Sequence, residues 1–403
     1  EIRGEIDAAI RRHGASRIAV VMGTSTSGIA EGEDALQRGL PNGALPEDFN
    51  MRKQEPGSVG EALARYLGLS GPAYTVSTAC SSGAKAIESG RRLLRTGLAD
   101  AVLAGGADSL CRLTLNGFHA LAALSGGICN PMSRNRDGTS IGEGAAVFLM
   151  HRDEAEIALY GAGASTDAYS MTAPDAEGLG VESAVRRALN DAGLAAAEID
   201  YIQLHGTGTL HNDTMESKAV QRVFDNDVPC SSSKGQLGHT LGAAGAMGAA
   251  HCWLTASGEN HNQLLPPHIW DGEADEGLLS ETLVKSGQTM DSSGRGMFLS
   301  NAFAFGGNNA TASIMSPAVT KRMLEKRHGK KAVKDWQVAN EQTEAEAREY
   351  EEMTNLQPIR PIYHFDHDVR GGKDLSFSDG KVKLRGYGKD IDLDLANKYS
   401  DMS

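Results

Sequence analysis

The chain of 403 residues carries 39 Lys and Arg against 52 Asp and Glu, a formal net charge of -13, with 40% apolar residues, 48 glycines and 5% aromatics. The acidic excess excludes a general affinity for nucleic acid or anionic membrane, both of which share its sign, while leaving room for a local basic patch. The length permits a large buried core, and the glycine content suits an α/β protein with tight turns and close helix contacts.

From the start of the chain, Ile2, Ile6, Ala9 and Ile10 stand at helical spacing with Gly14 as the exit residue, and nothing ahead supplies a cap. Glu1 to His13 therefore reads as the second half of a helix. From residue 17 onward, apolar β-rich runs alternate with helix-period stretches: Arg17 to Met22, Ala73 to Ala79, Ala101 to Ala104, Ala145 to Met150, Tyr201 to Leu204 and Gly296 to Leu299. That alternation predicts an α/β fold with sheets covered on both faces. The intervening helices Ser81 to Leu94, Glu182 to Ala192 and Gly242 to Ala256 are rich in Ala and Gly, as a layered interior requires. The character changes after Met315, giving a boundary at about 316 and two units, 1–315 and 316–403. Lys321 to Glu352 is dense in charge at helical spacing, and Arg360 to Ser403 is polar and weakly alternating. The tail is either a charged surface helix with a small β-rich piece or a disordered extension.

Cys80, Cys111, Cys129, Cys230 and Cys252 are odd in number and contain no CxxC pair. In a long chain this points to reduced thiols and a cytoplasmic location. No run of about 18 apolar residues could span a bilayer, and no charged-then-apolar signal segment opens the sequence.

Four segments carry chemistry. In Val76-Ser-Thr-Ala-Cys80-Ser-Ser-Gly83, an apolar strand enters a small-residue turn and then a helix, placing Cys80 where the helix dipole and free amides favour a thiolate. Taken alone, Cys80 reads equally as a buried small hydrophobe. Leu204-His205-Gly-Thr207-Gly-Thr209 puts a histidine at a strand end, followed by two hydroxyls suited to an amide-bearing ligand. Lys234 opens a segment leading through Gly238-His239 into an Ala/Gly helix. In Asn301-Ala-Phe303-Ala-Phe305-Gly-Gly-Asn-Asn309, a glycine pair lets backbone amides approach a reacting group.

Taken together and in this order, TACSS, HGTGT, KxxxGHTLGAAGA and FxFGGxN resemble the beta-ketoacyl-acyl-carrier-protein synthases of the thiolase superfamily, over about residues 17 to 315. The resemblance implies a layered αβαβα fold lacking its first N-terminal elements, followed by an extension outside the family pattern. It implies Cys80 as the acylated nucleophile, His205 and His239 as the pair that drives malonyl decarboxylation, Lys234 as an organising cation and Glu216 as its carboxylate partner. Thr207 and Thr209 would contact phosphopantetheine, Phe305 would gate the thiol, and Thr26 and Phe303 would wall the substrate site. Asp213, in the same loop, reads as structural.

His239 separates the chain from initiating synthases, expected to carry Asn there. The absence of a second cysteine in segment 301–309 separates it from degradative thiolases. The implied reaction is elongation in fatty acid, polyketide or polyene biosynthesis, with no permanently bound cofactor and substrates carried on phosphopantetheine. The implied partners are an acyl carrier protein and a second subunit, identical or homologous, paired through Ala73 to Ala79; a non-catalytic subunit of a heterodimer is the alternative. Because such a carrier is itself acidic, Arg134 and Arg136 are candidate rim cations, with an ordinary solvated-loop reading beside them.

Overall fold

The computed structural model describes residues 2–339 except 40, 42, 48, 153–156, 225–227 and 291–295, together with 375–378, 381–384 and 391–392. Its first half runs α1 (Arg3–His13), β1 (Ile18–Gly23), α2 (Ile29–Gly39), α3 (Ser58–Tyr66), β2 (Ala73–Val76), α4 (Ser82–Arg95), β3 (Ala101–Asp108), α5 (Arg112–Ala120) and β4 (Gly144–His151). The second half runs β5 (Ala158–Thr166), α6 (Leu179–Ala192), β6 (Tyr201–Gln203), α7 (Leu210–Phe224), β7 (Cys230–Ser231), α8 (Lys234–Leu237), α9 (Ala244–Ala256), β8 (Met297–Ala304) and β9 (Asn308–Met315).

One sheet is ordered β2-β1-β3-β4 and the other β5-β9-β8-β6-β7. Alternation along the strands sets the layers. In β1, Ile18, Val20 and Met22 face Ile6 and Ala9 of α1 and Ala64 of α3, while Ala19 and Val21 face the central helices through Ala86 and Ala246. In the second sheet, Ile202 and Leu299 pack on Val185 of α6 and Val220 of α7, and Tyr201 and Phe298 turn inward. The result is five layers, helix–sheet–helix–sheet–helix, with α4 and α9 in the middle. Glycine makes that middle layer thin: a Cβ on Gly83 would lie 2.8 Å from the Ala246 amide nitrogen, and one on Gly245 2.6 Å from that of Ala84.

The expected strands are all present with shifted ends. β2 stops at Val76, and β8 continues to Ala304 because its buried polar residues are paired: Thr311 donates to Asn301 Oδ1 at 2.9 Å. Three strands of the two large sheets, β5, β7 and β9, have no counterpart in the expected pattern. β5 is mostly Ala and Gly, with Gly161 and Gly163 placed so that a Cβ would strike the α6 backbone, and β9 is mostly small and polar. α1 ends as expected, with Gly14 at φ +81° and its amide donating to Ile10 O at 2.9 Å.

After Met315, α10 (Pro317–His328) and helical residues 330–339 follow; Lys321, Arg322, Lys326, Lys330, Lys331 and Lys334 are exposed, while Val319 and Val333 are buried. Residues 340–352, the rest of the expected charged helix, lie outside the described residues. In the polar tail, β10 (Leu375–Ser378), β11 (Lys381–Leu384) and β12 (Ile391–Asp392) form a small antiparallel sheet. Among the described residues no helix is long and apolar enough to cross a membrane.

Candidate active site

Cys80 sits two residues before α4, after the left-handed Ala79 at φ +50°. For a residue with a Cβ that conformation costs on the order of 1 kcal/mol and persists because the turn is over-determined. Ser82 Oγ accepts from the Thr78 amide at 2.9 Å and donates to Ala79 O at 2.5 Å, locking the turn from within. The amides of Phe305 and of Cys80 itself both donate toward the thiol, the arrangement of an oxyanion hole. The helix terminus does not make Cys80 a resting thiolate. Burial pushes the thiol up to about 11, against the lowering effect of Lys234 and the two amides, and Asp108 pushes in the same direction as burial.

His205 follows β6 and His239 precedes α9; their rings stand 5.2 Å apart at 84°, and Phe303 lies edge-on to His205 at 5.6 Å. Both imidazoles are pushed well below the ordinary value, first by burial and then by Lys234, so they are neutral at physiological pH. Lys234 Nζ lies 3.4 Å from His205 Nδ1 and also donates to His205 O. With a cation's N–H directed at Nδ1, the His205 proton belongs on Nε2, pointing away from the lysine.

Glu216, the expected carboxylate partner of Lys234, is not bonded to it directly. Its oxygens accept from the amides of His205 at 2.8 Å and Gly206 at 2.7 Å, and from Asn301 Nδ2 at 3.3 Å. The lysine holds the carbonyl of His205 and the glutamate its amide, so the two act on the same residue from opposite sides; they remain coupled through space, Glu216 raising the lysine that burial lowers. Burial pushes Glu216 up to about 7. Asp213 is structural as expected, accepting from the amides of Met132 at 2.8 Å and Thr207 at 3.0 Å. The hydroxyls of Thr207 and Thr209 lie 2.9 Å apart.

Thr26 is fully buried and its hydroxyl donates to Asp108 at 3.0 Å, so it is a fixed part of its loop and is not offered to a ligand. Arg136 is no rim cation: it is buried, donating to Ser133 O at 2.8 Å and to Asp275 at 2.6 Å, whereas Arg134 is exposed.

Two participants escape the motif reading. Phe118 of α5 stacks on Phe305 at 5.4 Å and meets His239 edge-on at 6.3 Å, in a segment whose only signal is an exposed apolar helix. Asp108, at the end of β3, receives donors from the loop after β1 and from the turn after His239. Its signal in the sequence is a lone carboxylate closing an apolar strand. Among the described residues no group of three or more His, Cys, Asp or Glu is placed to hold a metal ion.

A thiol set beneath two amides and acted on by the lysine that also meets one of a neutral histidine pair, between two sheets of like order, is the arrangement of a thioester-condensing site in a thiolase-like fold. The family model for the N-terminal domain of beta-ketoacyl synthase matches residues 6–156, and that for the C-terminal domain matches 155–269. The chain is 35% identical over 314 residues to nodulation protein E of Rhizobium meliloti, covering 74% of this chain and 76% of that protein. It is likewise 35% identical to the chloroplastic 3-oxoacyl-[acyl-carrier-protein] synthase I of Hordeum vulgare, covering 73% and 66%. A ketosynthase from Xenorhabdus doucetiae, solved in complex with its chain length factor, superposes with a TM-score of 0.73 at 44% identity, covering 78% of each chain. The chain belongs to the beta-ketoacyl synthases, and is an acyltransferase of the condensing, elongating type in fatty acid or polyketide biosynthesis.

Proposed function

We propose that the protein joins an acyl thioester to a malonyl thioester, both delivered on the phosphopantetheine of an acyl carrier protein, with Cys80 carrying the acyl group between steps. The Cys80 sulfur attacks the acyl carbonyl, the negative oxygen is received by the amides of Cys80 and Phe305, and the carrier thiol leaves with the cysteine proton. The malonyl thioester then loses carbon dioxide, and the electron pair left behind forms an enolate whose oxygen is received by His205 Nε2 and His239. The enolate carbon bonds to the acyl carbonyl and the Cys80–acyl bond breaks, releasing a 3-ketoacyl carrier.

The observation that carries this reading is the buried, neutral histidine pair 5.2 Å apart, with Lys234 fixing the proton of His205 on the nitrogen that faces the enolate. Neutral donors suit an enolate because they stabilise it without fully protonating it. Thr207 and Thr209 would bind the pantetheine amides, Phe305 would gate the thiol, and Phe303 would bound the acyl site. No cofactor is retained in this scheme.

A dimer follows from the fold. β2 is an outer strand of its sheet with its residues half-buried, and Leu113, Leu115 and Leu121, on and just after α5, are exposed. Pairing β2 with its counterpart across a two-fold axis would cover an open edge, with an identical or a homologous subunit as partner. The acidic chain with reduced thiols fits the cytoplasm. The test is mass mapping after incubation with an acyl carrier: the acyl adduct is expected on Cys80, with 3-ketoacyl product only when malonyl carrier is added. An adduct on Cys111, Cys129, Cys230 or Cys252, or product formed without malonyl carrier, overturns it.

A further inference from the structure

Asp108 is 6% exposed and satisfies donors from two segments that the sequence separates by more than 200 residues. From the loop after β1 it accepts the Thr24 hydroxyl, the Ser25 amide at 2.9 Å, and the Thr26 amide and hydroxyl, each at 3.0 Å. From the other half of the molecule its second oxygen accepts the Gly242 amide at 2.6 Å. Gly242 lies three residues after His239, beyond Leu241 at φ +50°. A Cβ at Gly242 would fall 2.7 Å from Asp108 Oδ2 and 2.6 Å from the Ser25 amide nitrogen, so the junction has no slack. Among the described residues no cation pairs with Asp108 within salt-bridge distance. Its carboxyl group is met by N–H and O–H donors alone, the pattern of an anion used to gather backbone.

We propose that Asp108 is a positioning residue of the condensing site, tying the turn that carries His239 to the end of β3 and to the loop after β1 so that the imidazole is held in register with Cys80. Geometry makes the role specific to a carboxylate. An asparagine can accept on one side only, and in either orientation its NH2 group would face a backbone N–H, at Gly242 or at Ser25 and Thr26. The two formal charges acting on the Cys80 thiol are Lys234, from the second half, and Asp108, from the first; the remaining contacts are the neutral amides of Cys80 and Phe305. Removing the aspartate charge therefore has an electrostatic signature at the thiol that loosened packing lacks.

This inference rests on the condensing role proposed for Cys80 and His239, and the experiment separates the two. Wild type, Asp108→Asn and Thr24→Val are compared for carbon dioxide release from malonyl carrier and for the pH dependence of Cys80 alkylation by iodoacetamide, with circular dichroism as the folding control. Asp108→Asn is expected to lower decarboxylation by about 10–100-fold, as loss of an orienting partner does, and to move the alkylation midpoint to lower pH. Thr24→Val removes one donor and keeps the charge, so it should lower decarboxylation a few-fold with the midpoint unmoved. A folded Asp108→Asn with wild-type decarboxylation and an unmoved midpoint overturns the inference while leaving the condensing role intact. Should Asp108→Asn fail to fold, unchanged decarboxylation in Thr24→Val overturns it instead. A wild type that neither decarboxylates malonyl carrier nor acylates Cys80 takes down both readings together.

Discussion

In the first half of the molecule, the turn after β2 delivers Cys80 two residues before α4, behind Ala79 at φ +50°; in the second half, the turn after β7 delivers His239 five residues before α9, behind Gly238 at φ +71°. Over four strands the sheets that carry these turns have the same order and directions, the second adding β5 at its edge. β1 runs parallel to β2 and β3, with β4 antiparallel beyond, and β6 runs parallel to β7 and β8, with β9 antiparallel beyond. Equivalent positions thus hold a nucleophile in one half and a hydrogen-bond donor in the other. The difference lies in what surrounds them. The second half adds Lys234, Glu216 and His205 around its turn, and Asp108 of the first half reaches across to accept the Gly242 amide of that same turn. One backbone plan serves two chemical tasks because the residue delivered by the turn differs, a thiol in one half and an imidazole in the other.

The two halves should separate most clearly at the histidines. His205→Ala or His239→Ala is expected to lower decarboxylation of malonyl carrier by about 100–1000-fold, the cost of removing one donor to a developing oxyanion. Transfer of an acyl group to Cys80, which uses the amides of the first-half turn and of Phe305, should fall far less. Single-turnover acylation followed beside carbon dioxide release measures the two, and equal losses in both steps would show that the halves do not divide the reaction.

A second, intermediate effect is set by pH. His205 and His239 are pushed well below 6.5 in the folded protein, so between that folded value and 6.5 the unfolded chain binds more protons than the native state. Stability is then fully present above about pH 6.5 and is lost as pH falls from there toward the folded value. Urea unfolding at descending pH should show this loss, and decarboxylation should lack an inflection near pH 6.5. Because burial also pushes Glu216 up to about 7, a rate that falls with a midpoint of about 6.5 would mean that the pair titrates as in solvent only where the fall persists in Glu216→Gln.

Much of this division was legible in sequence, and for a physical reason. Groups that must stand at strand ends and helix starts leave short, local signatures, so the turns at Cys80, His205 and His239 could be singled out, while their roles and those of Lys234 and Phe305 came only from the four motifs read together as a family resemblance. What escaped is non-local or chemically bland. β5 and β9 hide because Gly161 and Gly163 serve close contact with α6, and because polar Asn309, Thr311 and Ser313 are buried with partners inside a strand. Asp108 reads as one acid among many until the fold brings Gly242 to it. Nor does spacing show that the carboxylate of Glu216 turns to the amides of His205 and Gly206 and acts on Lys234 through space alone.

The smallest expected effect concerns carrier recognition and sharpens the contrast between rim and interior. Arg134 and Arg136 stand in the same loop, and sequence offers no ground for separating them; in the structure, the side chain of Arg134 is exposed and that of Arg136 is buried against Asp275 and Ser133. A charge that steers an acidic carrier must act through solvent, where the field extends over about a Debye length, so only Arg134 is placed to do so. Arg134→Glu should lower the carrier-dependent second-order rate by about twofold to fivefold at low ionic strength and flatten its salt dependence. Acylation of Cys80 by a small uncharged thioester should stay the same. Arg136→Glu sets a carboxylate against Asp275 in a buried position, so both substrates should suffer together with thermal stability. If Arg134→Glu also slows the uncharged thioester, the loop supports the active site and the carrier is steered from elsewhere on the surface.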